Sequence, residues 1–439
     1  MSRPDGGSVR RAAQALKPPA DAAKDYETVA LVLQGGGALG AYQAGVYQAL
    51  HEAGIRPNWI AGISIGAINA ALIAGNPPER RVARLQAFWE TISSSAILPL
   101  PRSLMEYTTQ FRPSDSTLRS LANTNSAMRA IIEGQQGFFT PRIPSPWLRP
   151  AGSEGATSFY DTSPLRTTLA ELIDFDRLNS AAVRISLGAV DVATGNLSYF
   201  DNRTTRLRPE HIMASGSLPP GFPAIEIDGH AYWDGGVVSN TPLSHVLRTK
   251  PRRDTLALQV DLWSARGPVP RHIGDVLTRQ KDIQYSSRTR AITDVEARLQ
   301  KLRCSIGQLL GKLPQELATD DTARELREFA CNKVFNIIHL IYRSKPYELS
   351  SKDYEFGFAS MRDHWQSGFD DMHRTLEHRH YFERPPVEVG VVTHDIHRED
   401  RGEPGARHVA IADRADHSRP APEARNAGPD DRVRAAQST

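Results

Sequence analysis

The chain has 439 residues, 40% hydrophobic and 23% charged, proportions that fit a soluble globular protein with one core domain and an appendage. Its 53 basic and 50 acidic side chains leave a net charge of +3, which gives no general electrostatic reason to bind nucleic acid. Two cysteines, Cys304 and Cys331, stand at no metal or redox spacing and exclude a disulfide framework, so a reducing, cytoplasmic compartment is expected.

In chain order, residues 1–25 are rich in Arg, Pro, Gly, Ala and Ser and hold no apolar run of signal-peptide length, so they read as a disordered leader. No later stretch reaches 18 apolar residues, which leaves peripheral contact as the only expected relation to a membrane. Val29-Ala30-Leu31-Val32-Leu33 is continuously apolar and predicts a strand buried on both faces. Gly35-Gly36-Gly37-Ala38-Leu39-Gly40 follows, then an amphipathic helix over Gly40–Ala53 with Gly54 at its C-terminal cap. A second strand, Trp59–Ile63, runs into Gly62-Ile63-Ser64-Ile65-Gly66 and a helix that begins with small residues.

A serine between glycines two residues away on either side, at a strand-to-helix turn, has the pattern of a nucleophile elbow. The helix start places positive potential beside Ser64, and the amides of Gly35, Gly36 and Gly37 can turn toward one point to hold an oxyanion. A dinucleotide site is the usual alternative for such glycines, but it requires an acidic residue near the end of the second strand, where this chain has Gly62-Ile63-Ser64. An α/β-hydrolase triad needs several strands before the elbow. Only one precedes this serine, so the base is expected to be a carboxylate.

Glu79–Ser93 continues as an amphipathic helix. Residues 97–159, rich in Pro and aromatic residues, read as an irregular insertion over the site, either a lid or an ordinary surface excursion. Ser163–Ile173 is a helix, and 183–190 and 197–200 are paired strands. The Asp228-Gly229 hairpin then delivers Asp234 into the turn Asp234-Gly235-Gly236, where an aromatic strand end can desolvate the acid and raise its basicity. His211, His230 and His245 are rival bases, but none lies in a glycine-shaped turn.

With these three motifs in this order, 170 residues from Ser64 to Asp234, the chain resembles the patatin-like phospholipase family over roughly residues 31–262. The resemblance implies a three-layer α/β sheet with helices on both faces. It also implies a Ser-Asp dyad of Ser64 and Asp234 acting on lipid acyl esters without metal or cofactor, with Gly40, Gly62, Gly66, Gly235 and Gly236 as motif glycines. Many members carry Lys or Arg where this chain has Leu39, which weakens the case for a charged headgroup. Hydrolysis of non-lipid esters such as hydroxyalkanoate oligomers, and a non-catalytic interaction role on the same fold, are the alternatives.

Residues 26–265 are thus expected to form the acyl hydrolase domain and 266–384 a mostly helical C-terminal region, with one added strand near Val334–Tyr342. The segment Ser350-Ser351-Lys352-Asp353-Tyr354-Glu355-Phe356 resembles an extension found on some bacterial members and carries no assigned chemistry. Residues 385–439 are polar and patternless and read as a disordered tail. Beyond a lipid or ester substrate no partner is expected, and no oligomeric state follows from the sequence.

Overall fold

Thr28–Leu33 is buried at all six positions, which requires a sheet covered on both faces. In the computed structural model, which describes residues 16–93, 116–287, 289–396 and 406–408, this segment is β1 of a ten-stranded sheet. The other strands are β2 Trp59–Ile63, β3 Arg184–Asp191, β4 Leu197–Asp201, β5 Ile225–Ile227, β6 His230–Asp234, β7 Thr255–Asp261, β8 Phe335–Ile341, β9 Val391–His394 and β10 Ala406–His408. Their order is β10-β9-β8-β7-β1-β2-β3-β6-β5, with β4 also paired to β3. Pairing is parallel from β9 through β3 and antiparallel at both ends.

Helices α1 Ala41–Glu52, α2 Ile65–Ala74, α3 Arg81–Ile92, α4 Ser116–Glu133, α5 Ser163–Leu172, α6 Pro209–Ser215, α7 Ile273–Tyr285, α8 Thr289–Leu310 and α9 Phe358–Glu377 surround the sheet. Alternation along β1 divides them between two faces. Leu31 and Leu33 join a core with α1, α2 and α3, whereas Ala30 and Val32 join a smaller one with Leu243, Val246, Leu247 and Ala297. The three-layer arrangement expected from the sequence is present.

Three expectations are corrected. The insertion is not irregular throughout: α4 spans 18 residues of it, and Phe138 and Phe139 are buried in the main core, while residues 97–115 lie outside the described residues. Within the expected leader, Pro19–Ala23 forms a short helix that buries Ala22 and Ala23; residues 1–15 lie outside the described set. The expected tail contributes β9 and β10, because Val391 and Val392 supply apolar side chains that the β8 edge can cover. Residues 397–405 and 409–439 are likewise outside the described set.

Among the joins between the C-terminal region and the rest of the molecule are the sheet and one helix pair. β8 pairs in parallel with β7 along its whole length, and α9 lies against α1, where Tyr42 Oη donates to Asp371 Oδ2 at 2.8 Å and Trp365 Nε1 donates to Gln48 Oε1 at 2.6 Å. The two backbones approach closely because each helix has a glycine at the crossing. A Cβ built on Gly45 would overlap the Trp365 carbonyl oxygen, and one on Gly368 would overlap that of Tyr42. Gly45→Val is therefore expected to lower the midpoint of thermal unfolding, with a destabilisation of about 1–3 kcal/mol or more from overpacking. An unchanged melting curve would show that the crossing yields freely.

Candidate active site

The end of β2 fixes the position of Ser64. Ile63, the last residue of β2, pairs with Gly188 of β3, and the next residue of β3, Ala189, pairs with Asp234 at the end of β6. Since β4 occupies the other edge of β3 across Gly188 and Ala189, β6 takes over the same edge where β2 stops. Ser64 and Asp234, 170 residues apart in sequence, thus meet across one register step.

Ser64 sits at φ 57°, ψ −127° as the N-cap of α2. This is strained for a residue with a side chain, and it lifts the hydroxyl out of the strand. Gly62 and Gly66 permit the turn: a Cβ on Gly62 would overlap the Gly66 carbonyl. Two serines that the sequence did not single out hold the arrangement. Ser64 N donates to the Ser215 carbonyl at 3.0 Å and to its Oγ at 3.1 Å, and Asp234 N donates to the Ser217 carbonyl at 3.0 Å.

Asp234 is buried, and that burial pushes its carboxyl pKa up to about 7. The Ser64 hydroxyl and the Gly236 amide, which donates to Asp234 Oδ1 at 2.7 Å, pull the other way. Gly235 and Gly236 open the short turn that aims this amide back at the carboxylate. None of the rival histidines lines the cavity that holds Ser64 and Asp234. His211 Nδ1 accepts the Arg208 amide at 3.0 Å, His230 Nδ1 lies 2.9 Å from Asp191 Oδ2, and His245 stacks on Tyr199 with burial pushing its pKa down to about 4.

The glycine loop faces Ser64, with one change to the sequence reading. The Gly35 amide donates to the Asn240 carbonyl at 3.2 Å, so it is not available to an oxyanion. The Gly36 and Gly37 amides make no hydrogen bond among the described residues. Gly37 has φ +55°, a conformation that only glycine adopts without strain. Buried amides unseen in the sequence reading brace this loop: Gln34 Oε1 accepts from Leu262 N and Trp263 N, and Asn240 Nδ2 and Trp263 Nε1 both donate to the Gly35 carbonyl at 2.9 Å. Past it, the Gly40 carbonyl accepts from Asn69 Nδ2 at 3.0 Å. Polar residues flanking apolar strands were the only sequence signal for these braces.

Above Ser64 lies a cavity of about 480 Å³ lined mainly by apolar groups, among them Ile68, Phe138, Phe139, Phe222 and Phe356. Part of its wall comes from the C-terminal region, through Tyr285, Asp353, Tyr354 and Phe356. No Lys or Arg is among the described residues that line it.

A serine on a strained strand-to-helix turn, faced by a buried carboxylate and two unengaged amides below an apolar cavity, marks an α/β scaffold of the hydrolase class. A family model described as patatin-like phospholipase matches residues 31–247, and a second, described as patatin phospholipase, matches residues 283–388. The chain belongs to the patatin-like phospholipase family. Curated relatives from human and mouse, both named patatin-like phospholipase domain-containing protein 6, are 25% identical over 233 residues. That match covers 53% of this chain and 13% of each relative, so the matched part spans about an eighth of their length. Among solved structures, VipD from Legionella pneumophila aligns with 16% identity and a TM-score of 0.35 over 80% of this chain and 67% of that one. The type III effector protein ExoU aligns with 15% identity and a TM-score of 0.31 over 83% and 54%.

Proposed function

We propose that the protein hydrolyses fatty-acyl esters of phospholipids or related lipids through Ser64 and Asp234. The observation that carries this reading is the carboxylate itself: Asp234 is buried beside Ser64 with a pKa of about 7, which suits a general base working near neutrality. Asp234 takes the hydroxyl proton as Ser64 Oγ bonds to the ester carbonyl carbon. The Gly36 and Gly37 amides hold the resulting oxyanion. As the ester C–O bond breaks, Asp234 returns the proton to the departing alcohol; a water deprotonated by the same carboxylate then bonds to the acyl carbon, the bond to Ser64 Oγ breaks, and Asp234 gives that proton to Ser64 Oγ as the free acid leaves.

The apolar cavity supports an acyl chain as the bound part of the substrate. Ile143, Trp147 and Leu148 project into solvent, at 87%, 84% and 77% exposure. They belong to the segment whose Phe159 amide donates to Pro220, a cavity-lining residue, at 3.2 Å. An exposed apolar tip beside the cavity wall suits peripheral contact with a lipid surface. Among the described residues, no helix is long and apolar enough to cross a membrane.

The lack of a cation in the described lining favours a second reading, an uncharged ester such as a hydroxyalkanoate oligomer. Turnover measured on fatty-acyl esters of graded chain length, with and without a phosphate headgroup, and on short hydroxyacyl oligomers separates the two. The lipid reading expects kcat/KM to rise with acyl length and to depend little on the headgroup charge. A preference for short hydroxyacyl oligomers over every fatty-acyl ester would overturn it.

A further inference from the structure

The C-terminal segment Ser350–Gly357 touches the glycine loop directly. The Asp353 carbonyl accepts the Ala38 amide at 2.8 Å, and a Cβ built on Gly37 would overlap the same oxygen. Ala38 is the residue next to the two unengaged amides. That carbonyl therefore anchors the peptide unit that directly follows the Gly37 amide, while the Gly35 carbonyl, in the same peptide unit as the Gly36 N–H, is held by Asn240 and Trp263.

Two reciprocal ion pairs hold the segment in place. Lys281, near the end of α7, donates to both carboxylate oxygens of Asp353 at 2.8 and 3.0 Å and to the Ser350 carbonyl at 2.9 Å. Its neighbour Asp282 accepts from Lys352 Nζ at 2.6 Å. The Lys352 side chain is 2% exposed and lies 5.1 Å from the ring centre of Trp263, the indole that donates to Gly35. The Lys352–Asp282 pair is thus shielded from water and weakened little by solvent screening, whereas Lys281 and Asp353 keep 30% and 19% of their side chains exposed; breaking either leaves a charge without its partner.

We propose that Asp353, clamped by Lys281, is a positioning residue for the oxyanion-binding Gly37 amide, and that the C-terminal segment is therefore a working part of the active site. This rests on the reading of Ser64 and of the Gly36 and Gly37 amides given above. Loss of the clamp lets the Asp353 carbonyl drift from Ala38 and tilts the Gly37 donor, while Ser64, Asp234 and the floor of the cavity stay in place. The effect falls on the transition state, where the oxyanion forms, more than on substrate binding.

The test is steady-state hydrolysis of a soluble fatty-acyl ester by the full chain, with melting temperature measured on the same preparations. Lys281→Met and Asp353→Asn are each expected to lower kcat by about 10- to 100-fold, part of what a lost oxyanion donor costs, with KM changed less than about threefold. The double variant should be no worse than the weaker single one, and the exchanged pair Lys281→Asp with Asp353→Lys should recover much of kcat. Hydrogen exchange at the Ala38 amide should quicken in both single variants. If Lys281→Met does not fold, Asp353→Asn, which keeps the side chain's size, decides alone. A kcat within twofold of the parent in a folded variant, or a loss of kcat that follows melting temperature with no recovery in the exchanged pair, overturns the proposal. Ser64→Ala in the same series separates the two readings: unchanged turnover there sinks the catalytic assignment, whereas abolished turnover beside an unaffected Lys281→Met sinks the clamp alone.

Discussion

Ser64→Ala and Asp234→Asn are each expected to cut ester turnover on the order of 10⁴-fold, and the double variant to be no worse than either, because a nucleophile and its base act as one unit. The register of β3 is the reason the effects should not add. Ile63 and Asp234 pair with adjacent residues of one strand, Gly188 and Ala189, so no third group needs to mediate between the hydroxyl and the carboxylate. Both variants should fold, since neither removes buried volume on the scale of a core truncation. Near-normal turnover in Asp234→Asn together with its loss in His211→Ala would transfer the base role to a histidine that caps a helix in this structure.

The titration of Asp234 predicts a second large effect, on rate and stability in opposite directions. The rate should rise with pH through about 7, as the carboxyl loses its proton and becomes able to accept one from Ser64. Stability should do the reverse. The folded pKa lies above the unfolded value of 3.8, so the native chain holds a proton that the unfolded chain releases between the two values. The contribution of this group is therefore fully present below about pH 4, declines as pH rises toward 7 and stays low above it. At about 1.4 kcal/mol per unit, the cost of ionising Asp234 in its buried place is on the order of a few kcal/mol. Asp234→Asn should accordingly be more stable than the parent at pH 8 and about equal to it near pH 4, as read from denaturant midpoints at both values. A parent and variant that differ equally at the two pH values would show that Asp234 is not held neutral by burial.

What could be read in the sequence was whatever is constrained locally. The elbow around Ser64, the positive-φ turn at Gly37 and the glycine pair after Asp234 are each demanded by backbone geometry within a few residues, so the residue types announce them. The unbroken apolar runs of β1 and β2 announced a doubly covered sheet for the same reason. What stayed hidden depends on partners far away in the chain. Gln34 meets Leu262 and Trp263, Asn240 meets Gly35, and Asp353 meets Ala38; nothing in a window around any of these residues distinguishes a brace from a surface polar group. α4 was missed because its Asn, Thr and Ser residues obscured the helical period, and β9 because four residues in a polar tail are too few to register as a strand until a neighbouring edge covers them. Gly35 was misassigned for a related reason, since three consecutive glycines look alike until a distant carbonyl claims one of their amides.

The pairing of β7 with β8 has a consequence for how this molecule can be divided. The family match that ends at residue 247 and the one that begins at 283 suggest a convenient place to cut, yet every residue of β7 is buried between β1 and β8. A fragment ending near residue 265 would turn this interior strand into an open edge seven residues long, with its backbone amides and carbonyls exposed to any other chain. Such a fragment would recruit neighbours before it could bind substrate. A cut between the two matched ranges therefore divides one continuous sheet.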